Sequence, residues 1–486
     1  MIYKLRPYQE ECVKSTSDYI NSDRHDPVLI IGPVGCGKSL LIAEAARLMG
    51  DKTLILQPSK ELLQQNHDKI TSYGIPATIY SASCGKKELS NMIYATLGSV
   101  KKVVDKLKEM GIRNVLIDEA HAGYSPEDGS EFMTFMNELK PKKVIGFTAT
   151  PCRLKSMSIG QVSYSQLNFI TRMRPVYFKN LIHVIQVEEM IRQGFWTPLK
   201  YETWDFNGDA LKLNSNGSEY TAESISEAVR KNGLNNLILR RLMVLKDVCR
   251  SILVFMDSVE SCNTAAEWMN AKICAGMAEV VHGGTPKKQR EAIVERFKSG
   301  GTKVVFNYSA LGTGFDHPGL DCVIVGRPTF SFSSFYQWLG RAVRIKDGKD
   351  SALVVDCCNN SSRFGDIREL SIENYKGYGW GMFIGDKLIT NIPMGDKVTK
   401  TDLDIKAAKK DRRRGLAQGV TAAPVPGRPD HPLGSTLMTF GKYCGWMLHS
   451  IPVSYFKFIN ETFDWDNDRN KDIKEYIDFL IKNNRL

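Results

Sequence analysis

Short apolar runs alternate with amphipathic stretches over roughly the first 150 residues. Val28-Leu29-Ile30-Ile31 and Val115-Leu116-Ile117 are too short for helices and read as buried strands, and Leu40–Met49 behind the first reads as a helix. After Pro151 the alternation lapses. Residues 152–235 hold an amphipathic stretch, Val187–Gly194, and a polar run, Asn207–Ser218, that predicts a hairpin or loop excursion. From about residue 237 the alternation returns, with strands predicted at Ile252–Met256, Glu279–His282, Lys303–Phe306, Cys322–Val325 and Ala352–Asp356 and helices between them. This pattern predicts an α/β fold with two tandem parallel sheets, one within 1–155 and one within 237–360, joined by a connecting segment over 156–236. Residues 361–420 read as an accessory segment and 421–434 as a Pro-rich linker (TAAPVPGRPDHP over Thr421–Pro432). A small separate module would occupy 435–486.

Composition changes this picture little. The 486 residues are 42% apolar and 24% charged, enough for sizeable cores, and the formal net charge of +11 favours a polyanionic partner. The 11 cysteines form no C-x-x-C pair or zinc-ligand spacing, which suits reduced thiols. The N-terminus MIYKLRPYQEE has no signal-like apolar stretch, and no segment approaches a membrane span. A soluble, cytoplasmic protein with no membrane partner is the expectation.

Two stretches far apart carry candidate chemistry. Gly32–Ser39 (GPVGCGKS) fits G-x-x-x-x-G-K-[ST], a phosphate loop between strand and helix. Backbone N–H groups of Gly35, Cys36 and Gly37 would close around the phosphates. Lys38 would reach the β- and γ-phosphates, and Ser39 would offer its hydroxyl to Mg²⁺. Asp118–His121 (DEAH) follows the second apolar run, which puts Asp118 at the ligand-binding edge of the same sheet. There Asp118 would hold Mg²⁺ and Glu119 would polarise the attacking water. Together they predict hydrolysis of ATP with Mg²⁺ as cofactor. The second sheet has no such loop but carries Gln337, Arg341 and Arg344 in Q-x-x-G-R-x-x-R. On one helix these three would share a face at i, i+4 and i+7. Arginine forks match phosphate oxygens, so the pair predicts an arginine finger completing the ATP site from across a cleft. A helix with plainly exposed arginines is the alternative.

In this order the motifs resemble those of the superfamily 2 helicases over about the first 360 residues. Leu5-Arg6-Pro7-Tyr8-Gln9 resembles the adenine-reading segment, Gly32–Ser39 motif I and Asp118–His121 motif II. Thr148-Ala149-Thr150 matches motif III. Pro58–Leu62 with Gln65 resembles motif Ia, Thr96–Ser99 motif Ib and Ile252–Ser258 motif IV. Leu311–Asp316 matches motif V and Gln337–Arg344 motif VI. The stretches LRPYQ, TATPCRL, MIRQGFWTP and TGFDHPGLD are most similar to RadD-like DNA-repair helicases and related phage helicases. The resemblance implies two RecA-like domains with ATP in the cleft between them. By it, Arg6 and Gln9 would contact the nucleotide. Pro58, Ser59, Thr96, Gly98, Ser99 and Ser258 would grip the strand, largely through phosphates, although helix capping explains each hydroxyl equally well. Gly314 and Asp316 in the second domain, and Thr148 and Thr150 in the first, would couple nucleotide state to strand binding. His121 would either bridge the Asp118 loop to the second domain or serve a structural role. No long wedge fits between His317 and Tyr336. Phe195, Trp196 and Trp204 read either as another wedge or as core.

Toward the C-terminus, Tyr375–Phe383 is an aromatic–glycine cluster that could stack on bases or form a packed turn. Lys406–Arg414, with Lys409, Lys410, Arg412, Arg413 and Arg414, reads either as a phosphate-binding run or as a solvated helix face. Met438–Trp446 and Ile451–Phe458 resemble the small FGKYKG/IPxSYL domain appended to some exonucleases and helicases. The expected function is an ATP-dependent DNA helicase or translocase in repair, recombination or replication, acting on single-stranded or branched DNA in a bacterial or phage-infected cell. An RNA helicase is the nearest alternative. A different class is an ATP-gated DNA clamp whose C-terminal module recruits a nuclease or a single-strand-binding protein.

Overall fold

The computed structural model describes every residue except 1–3, 51, 160–161, 312–314, 408–432, 434–435, 437, 440–442, 444–446, 452, 463–469 and 484–486. The chain divides into two compact units, Met1–Lys400 and Thr401–Leu486.

The first sheet is built from apolar four-residue runs buried on both faces, as parallel strands covered by helices must be. Its strands are β1 (Val28–Ile31), β2 (Thr53–Leu56), β3 (Thr78–Ser81), β4 (Lys86–Lys87), β5 (Met92–Ala95), β6 (Asn114–Ile117) and β7 (Lys143–Thr148). Next comes an antiparallel hairpin, β8 (Cys152–Ile159) and β9 (Val162–Phe169), and then β10 (Asn180–Val184), which returns to the edge of the first sheet. The order is β10-β1-β7-β6-β2-β5-β3-β4, parallel throughout except for β4.

The second sheet contains β11 (Leu199–Thr203), β12 (Ile252–Phe255), β13 (Ala278–His282), β14 (Val304–Tyr308), β15 (Cys322–Val325) and β16 (Ala352–Asp356). Its order is β11-β16-β15-β12-β14-β13, all parallel. Side chains alternate between its faces with period two. Leu253, Phe255, Val323 and Val325 join the core shared with the first sheet, whereas Ile252, Val254, Cys322 and Ile324 pack into a second core behind.

Within 156–236, expected as a connecting segment, β10 joins the edge of the first sheet and β11 the edge of the second. The aromatics of this segment have inward roles rather than forming a wedge. Trp196 is buried, Trp204 packs at the second core, and Phe195 meets Tyr8 at 5.3 Å. The aromatic–glycine cluster lies in a small antiparallel sheet of β17 (Leu370–Tyr375), β18 (Gly379–Ile384), β19 (Lys387–Leu388) and β20 (Val398–Thr399). This sheet is tied to the middle segment: the Gln186 side-chain amide exchanges hydrogen bonds of 2.8 and 3.2 Å with Ile372, and Asn391 bonds Leu167 and Phe169.

In the C-terminal unit, the helices Val453–Thr462 and Lys471–Lys482 pack around Leu448, Phe456, Tyr476 and Leu480. The basic residues Lys409, Lys410, Arg412, Arg413 and Arg414 lie outside the described residues, as does most of the FGKY-like stretch.

Candidate active site

The carboxyl ends of parallel strands are where open α/β sheets bind ligands, and the first sheet gathers its motifs there. The phosphate loop leaves β1, Gln57 and Pro58 follow β2, Thr96 follows β5, Asp118 follows β6, and Thr148 ends β7. The loop feeds helix α1 (Lys38–Met49), with Gly37 at its N-cap. Gly35 and Gly37 both have φ above +80°. A Cβ on Gly37 would lie 2.5 Å from Gln9 Nε2, so glycine is required there by both conformation and space.

Gln9 and Cys36 do not face the cleft. Gln9 Nε2 donates to the Cys36 carbonyl at 2.8 Å, the Tyr8 hydroxyl donates to the same oxygen at 3.1 Å, and Gln9 Oε1 accepts from the Arg6 N–H. The segment expected to read adenine therefore braces the loop through Gln9. Arg6 is the residue of that segment that lines the cleft, with its guanidinium 4.5 Å over the Phe195 ring. The Cys36 thiol is buried, which pushes it up to about 12 and leaves it neutral.

Charges concentrate around Lys38, whose ammonium contacts Glu119 Oε1 directly and stands 3.7 Å from Asp118 Oδ1. Burial opposes the Lys38 charge, yet the two carboxylates outweigh it and its pKa is raised. Burial pushes Asp118 up to about 6. For Glu119 burial acts the same way but is overcome by Lys38, and the carboxyl stays below its ordinary value. Glu119 sits at φ 47°, a conformation that non-glycine residues hold at a cost and that is enriched at functional sites.

Helix α2 (Lys60–Ser72) supplies two cleft residues that the motifs did not name, Asn66 and Lys69. Asn66 Oδ1 accepts from the Ser39 hydroxyl at 2.6 Å, and its Nδ2 donates to Asp118 Oδ2 at 3.0 Å and to Gln57 Oε1 at 3.1 Å. The amide thus spans the two groups expected to hold Mg²⁺. The sequence signal is a stripe: Leu62, Gln65, Asn66 and Lys69 recur at i, i+3, i+4 and i+7 and all line the cleft.

His121 links DEAH to motif III rather than to the second domain. Its Nδ1 is 2.8 Å from Thr148 Oγ1 and its Nε2 3.1 Å from Thr150 Oγ1, all within the first sheet's edge. Burial lowers its pKa to about 4, so the ring is neutral.

The second sheet closes the cleft. Gln337 lies on the helix Phe332–Leu339, which ends before Arg341, so the three motif VI residues do not share one helix. Past Leu339 the Arg341 and Ala342 N–H groups donate only three residues back, to the Trp338 and Leu339 carbonyls at 3.2 and 2.9 Å, and the following carbonyls are taken from outside: Val343 and Arg344 by Thr197 N–H and Oγ1 at 2.8 and 2.7 Å, Ala342 and Arg344 by Lys349 Nζ. Gln337, Arg341 and Arg344 nonetheless line one cleft of about 330 Å³ with Lys38, Ser39, Asp118, Glu119 and Asp316. Both arginines donate to the Phe315 carbonyl, at 2.5 and 3.1 Å, and Arg344 pairs with Asp316. Burial lowers Arg341 to about 9, the cost of holding a guanidinium in the cleft wall. The two sides meet at Val34. The Trp196 Nε1–H donates to its carbonyl at 2.8 Å, and a Cβ on Gly340 would come within 2.4 Å of its side chain. Gly314 lies outside the described residues.

The residues assigned to strand contact have local partners. Ser59 accepts from Leu62 N–H and Ser258 from Ser261 N–H as helix caps, while Ser99 accepts from Ala82 N–H and from the Thr96 hydroxyl. Pro58 and Gly98 are exposed at the same edge.

The donor set fits a magnesium–triphosphate. Ser39 and Asp118 offer hard oxygens bridged by one amide, the glycine conformations leave the loop backbone bare, and five cationic side chains (Arg6, Lys38, Lys69, Arg341 and Arg344) line one cleft.

Two family models match. Residues 2–153 match the type III restriction enzyme, res subunit, and 235–346 match the helicase conserved C-terminal domain. The chain is 25% identical to a 51.5 kDa protein of a Lactococcus phage over 68% of this chain and 65% of that protein. It is 24% identical to the ATP-dependent helicase IRC3 of Saccharomyces cerevisiae, over 74% and 52%. With the DNA 3'-5' translocase XPB2 of Sulfurisphaera tokodaii it shares 24% identity over 72% and 81%. Among solved structures, the ATP-dependent Type ISP restriction-modification enzyme LlaBIII bound to DNA superposes with a TM-score of 0.54 at 14% identity, covering 87% of this chain and 31% of that one. The chain thus spans half to two-thirds of the length of the first two relatives. With its two sheets, its shared cleft and these paired domain matches, the chain belongs to the superfamily 2 helicases.

Proposed function

We propose that this chain is a nucleic-acid-stimulated ATPase that acts as a DNA helicase or translocase. The observation carrying this reading is that one cleft is walled by Lys38, Ser39, Asp118 and Glu119 from one sheet and by Gln337, Arg341 and Arg344 from the other. Lys38 and the two arginines bind the triphosphate, Ser39 and Asp118 hold Mg²⁺ with Asn66 positioning both, and Glu119 accepts the proton of the attacking water. Mg²⁺, when bound, neutralises charge on the phosphates. Because both sheets contribute phosphate ligands, ATP favours the closed cleft, and hydrolysis with release lets it open. A strand held across both sheet edges is then gripped alternately.

DNA is preferred to RNA because the XPB2 and LlaBIII names refer to DNA. The finer resemblance to RadD-like repair helicases rests on the LRPYQ, TATPCRL and TGFDHPGLD stretches. Neutralising Lys409, Lys410 and Arg412–Arg414 tests whether that run adds to DNA affinity. A nuclease or single-strand-binding partner is assigned to the C-terminal unit by the FGKY-like sequence alone.

The test is the steady-state ATPase rate with no nucleic acid and then with single-stranded, duplex and forked DNA and RNA, using Lys38→Ala as the inactive reference. Stimulation strongest with forked DNA supports the reading. Stimulation by RNA alone assigns the motor to RNA, and a rate indifferent to every nucleic acid contradicts it.

A further inference from the structure

The amino edge of the second sheet holds a cavity apart from the ATP cleft. The loops leading into β12, β14, β15 and β16 meet there around about 350 Å³, within the range of about 300–1,000 Å³ usual for small-ligand sites. Its wall carries four cations, Arg250, Lys298, Lys346 and Lys349, against two acids, Asp321 and Asp350. Asp321 is already occupied, accepting from the Arg250 and Ser251 N–H groups at 2.9 Å each. Lys349 is occupied too: its ammonium donates to the Pro318, Ala342 and Arg344 carbonyls at 3.2, 2.7 and 2.8 Å. The other three cations make no ion pair and no side-chain hydrogen bond among the described residues. Two of them stand over glycines. A Cβ on Gly319 would lie 3.0 Å from Lys346 Nζ, and one on Gly348 would lie 3.8 Å from Arg250 Nη1. His317, 5% exposed, sits among the lysines, and burial together with Lys346, Lys298 and Lys349 keeps its ring neutral against Asp316. Val248, 71% exposed, borders the same cavity and offers an apolar wall.

Four cations against two acids leave an excess of two positive charges, which matches a phosphate monoester carrying about −1.5 to −2 at neutral pH. A bare phosphate would leave most of the space empty, so the ligand carries a further group. We propose that this cavity binds a phosphomonoester, its phosphate held by Arg250, Lys298 and Lys346 and its attached nucleoside lying against Val248. A free nucleoside 5′-monophosphate and the 5′-phosphate at a strand end share this chemistry. The site stands directly behind motif VI. Asp316, Pro318 and Arg344 face the ATP cleft, whereas His317, Gly319 and Lys346, from the same two segments, face this cavity. An occupant therefore rests on the segment that carries Arg344.

The test is calorimetric titration of the full chain, its ATP cleft filled with Mg²⁺ and the β,γ-imido analogue of ATP. The probes are thymidine 5′-monophosphate, thymidine, triglutamate, and one oligodeoxythymidine with and without a 5′-phosphate. Arg250→Gln is expected to weaken the monophosphate by about tenfold or more, the value of one hydrogen bond to a charged group. Lys298→Gln, at an exposed helix position, should weaken it a few-fold and carries the test if Arg250→Gln does not fold. Variant-sensitive binding of the mononucleotide supports the proposal with a free nucleotide as the source. A gain from the 5′-phosphate on the oligonucleotide that these variants abolish supports it with a strand end instead. Wild-type affinity for every phosphate probe in the folded variants overturns it, as does thymidine binding as tightly as its monophosphate. Triglutamate binding as tightly as the monophosphate also overturns it, and would assign the cavity to an acidic peptide.

Discussion

Lys38 is paired with Glu119 and Asp118 in this arrangement, so phosphates must compete with two carboxylates for one ammonium. Asn66 has a similar double role, since its amide fixes the Ser39 hydroxyl and the Asp118 carboxylate toward each other before any metal arrives. Groups that orient metal ligands commonly contribute a factor of about 10–100 in metal affinity. Asn66→Ala should therefore raise the Mg²⁺ concentration needed for tight ADP binding by about tenfold or more, while metal-free ADP affinity changes much less. Titrating ADP affinity against Mg²⁺ separates the two, and an unchanged Mg²⁺ requirement would remove Asn66 from the site.

At the scale of elements, the cleft depends on how closely a turn of the second sheet approaches the phosphate loop. Gly340 has φ −60°, which alanine adopts freely, so the Val34 contact alone makes glycine necessary. Gly340→Ala should cost roughly 1–3 kcal/mol by overpacking and lower the ATPase rate, and Val34→Ala in the same chain should restore part of both. Additive losses in a thermal melt would show that the two residues do not meet. His317 offers a second test, through pH. It bonds Ser251 Oγ at 2.8 Å, and burial together with Lys346, Lys298 and Lys349 lowers it to about 4, with Asp316 opposing. The unfolded chain takes up this proton near pH 6.5 and the folded chain resists until about 4, so stability is lost as pH falls through that window. His317→Gln should flatten the decline in melting temperature between those values and leave neutral pH nearly unaffected; an unchanged decline would contradict this placement.

These elements also mark where sequence reading succeeds and stops. Runs such as Cys322–Val325 and Ala352–Asp356 appear at their predicted bounds because strands buried on both faces have no other place in a soluble fold. Lys38, Asp118 and Glu119 were legible because short loops at strand ends fix them. Asn66 was not, because it reaches the site by tertiary packing of an ordinary-looking helix; Phe195 and Trp196 stood out in sequence, but their places beside Arg6 and Val34 come from packing. The helix expected through Arg344 stops at Leu339, where the backbone tightens to bonds three residues back, and the chain beyond is held by Thr197 and Lys349, neither of which is in the motif.

For the whole molecule, the residues through Lys400 form one compact unit containing both sheets and the cleft. A chain ending at residue 400 should fold cooperatively and bind ADP with wild-type affinity. Loss of ADP binding in a folded truncation would place part of the site in the C-terminal unit. The central claim is that the second sheet supplies charge to hydrolysis at a site whose phosphate loop belongs to the first. Arg344→Ala isolates that contribution: single-turnover hydrolysis and equilibrium ATP binding, measured on the same protein in the presence of single-stranded DNA, should diverge. Binding should stay within a few-fold of wild type while hydrolysis slows by about 10³ or more, as when other arginine fingers are removed. Wild-type hydrolysis in Arg344→Ala would contradict the claim and leave the first sheet to catalyse without that arginine.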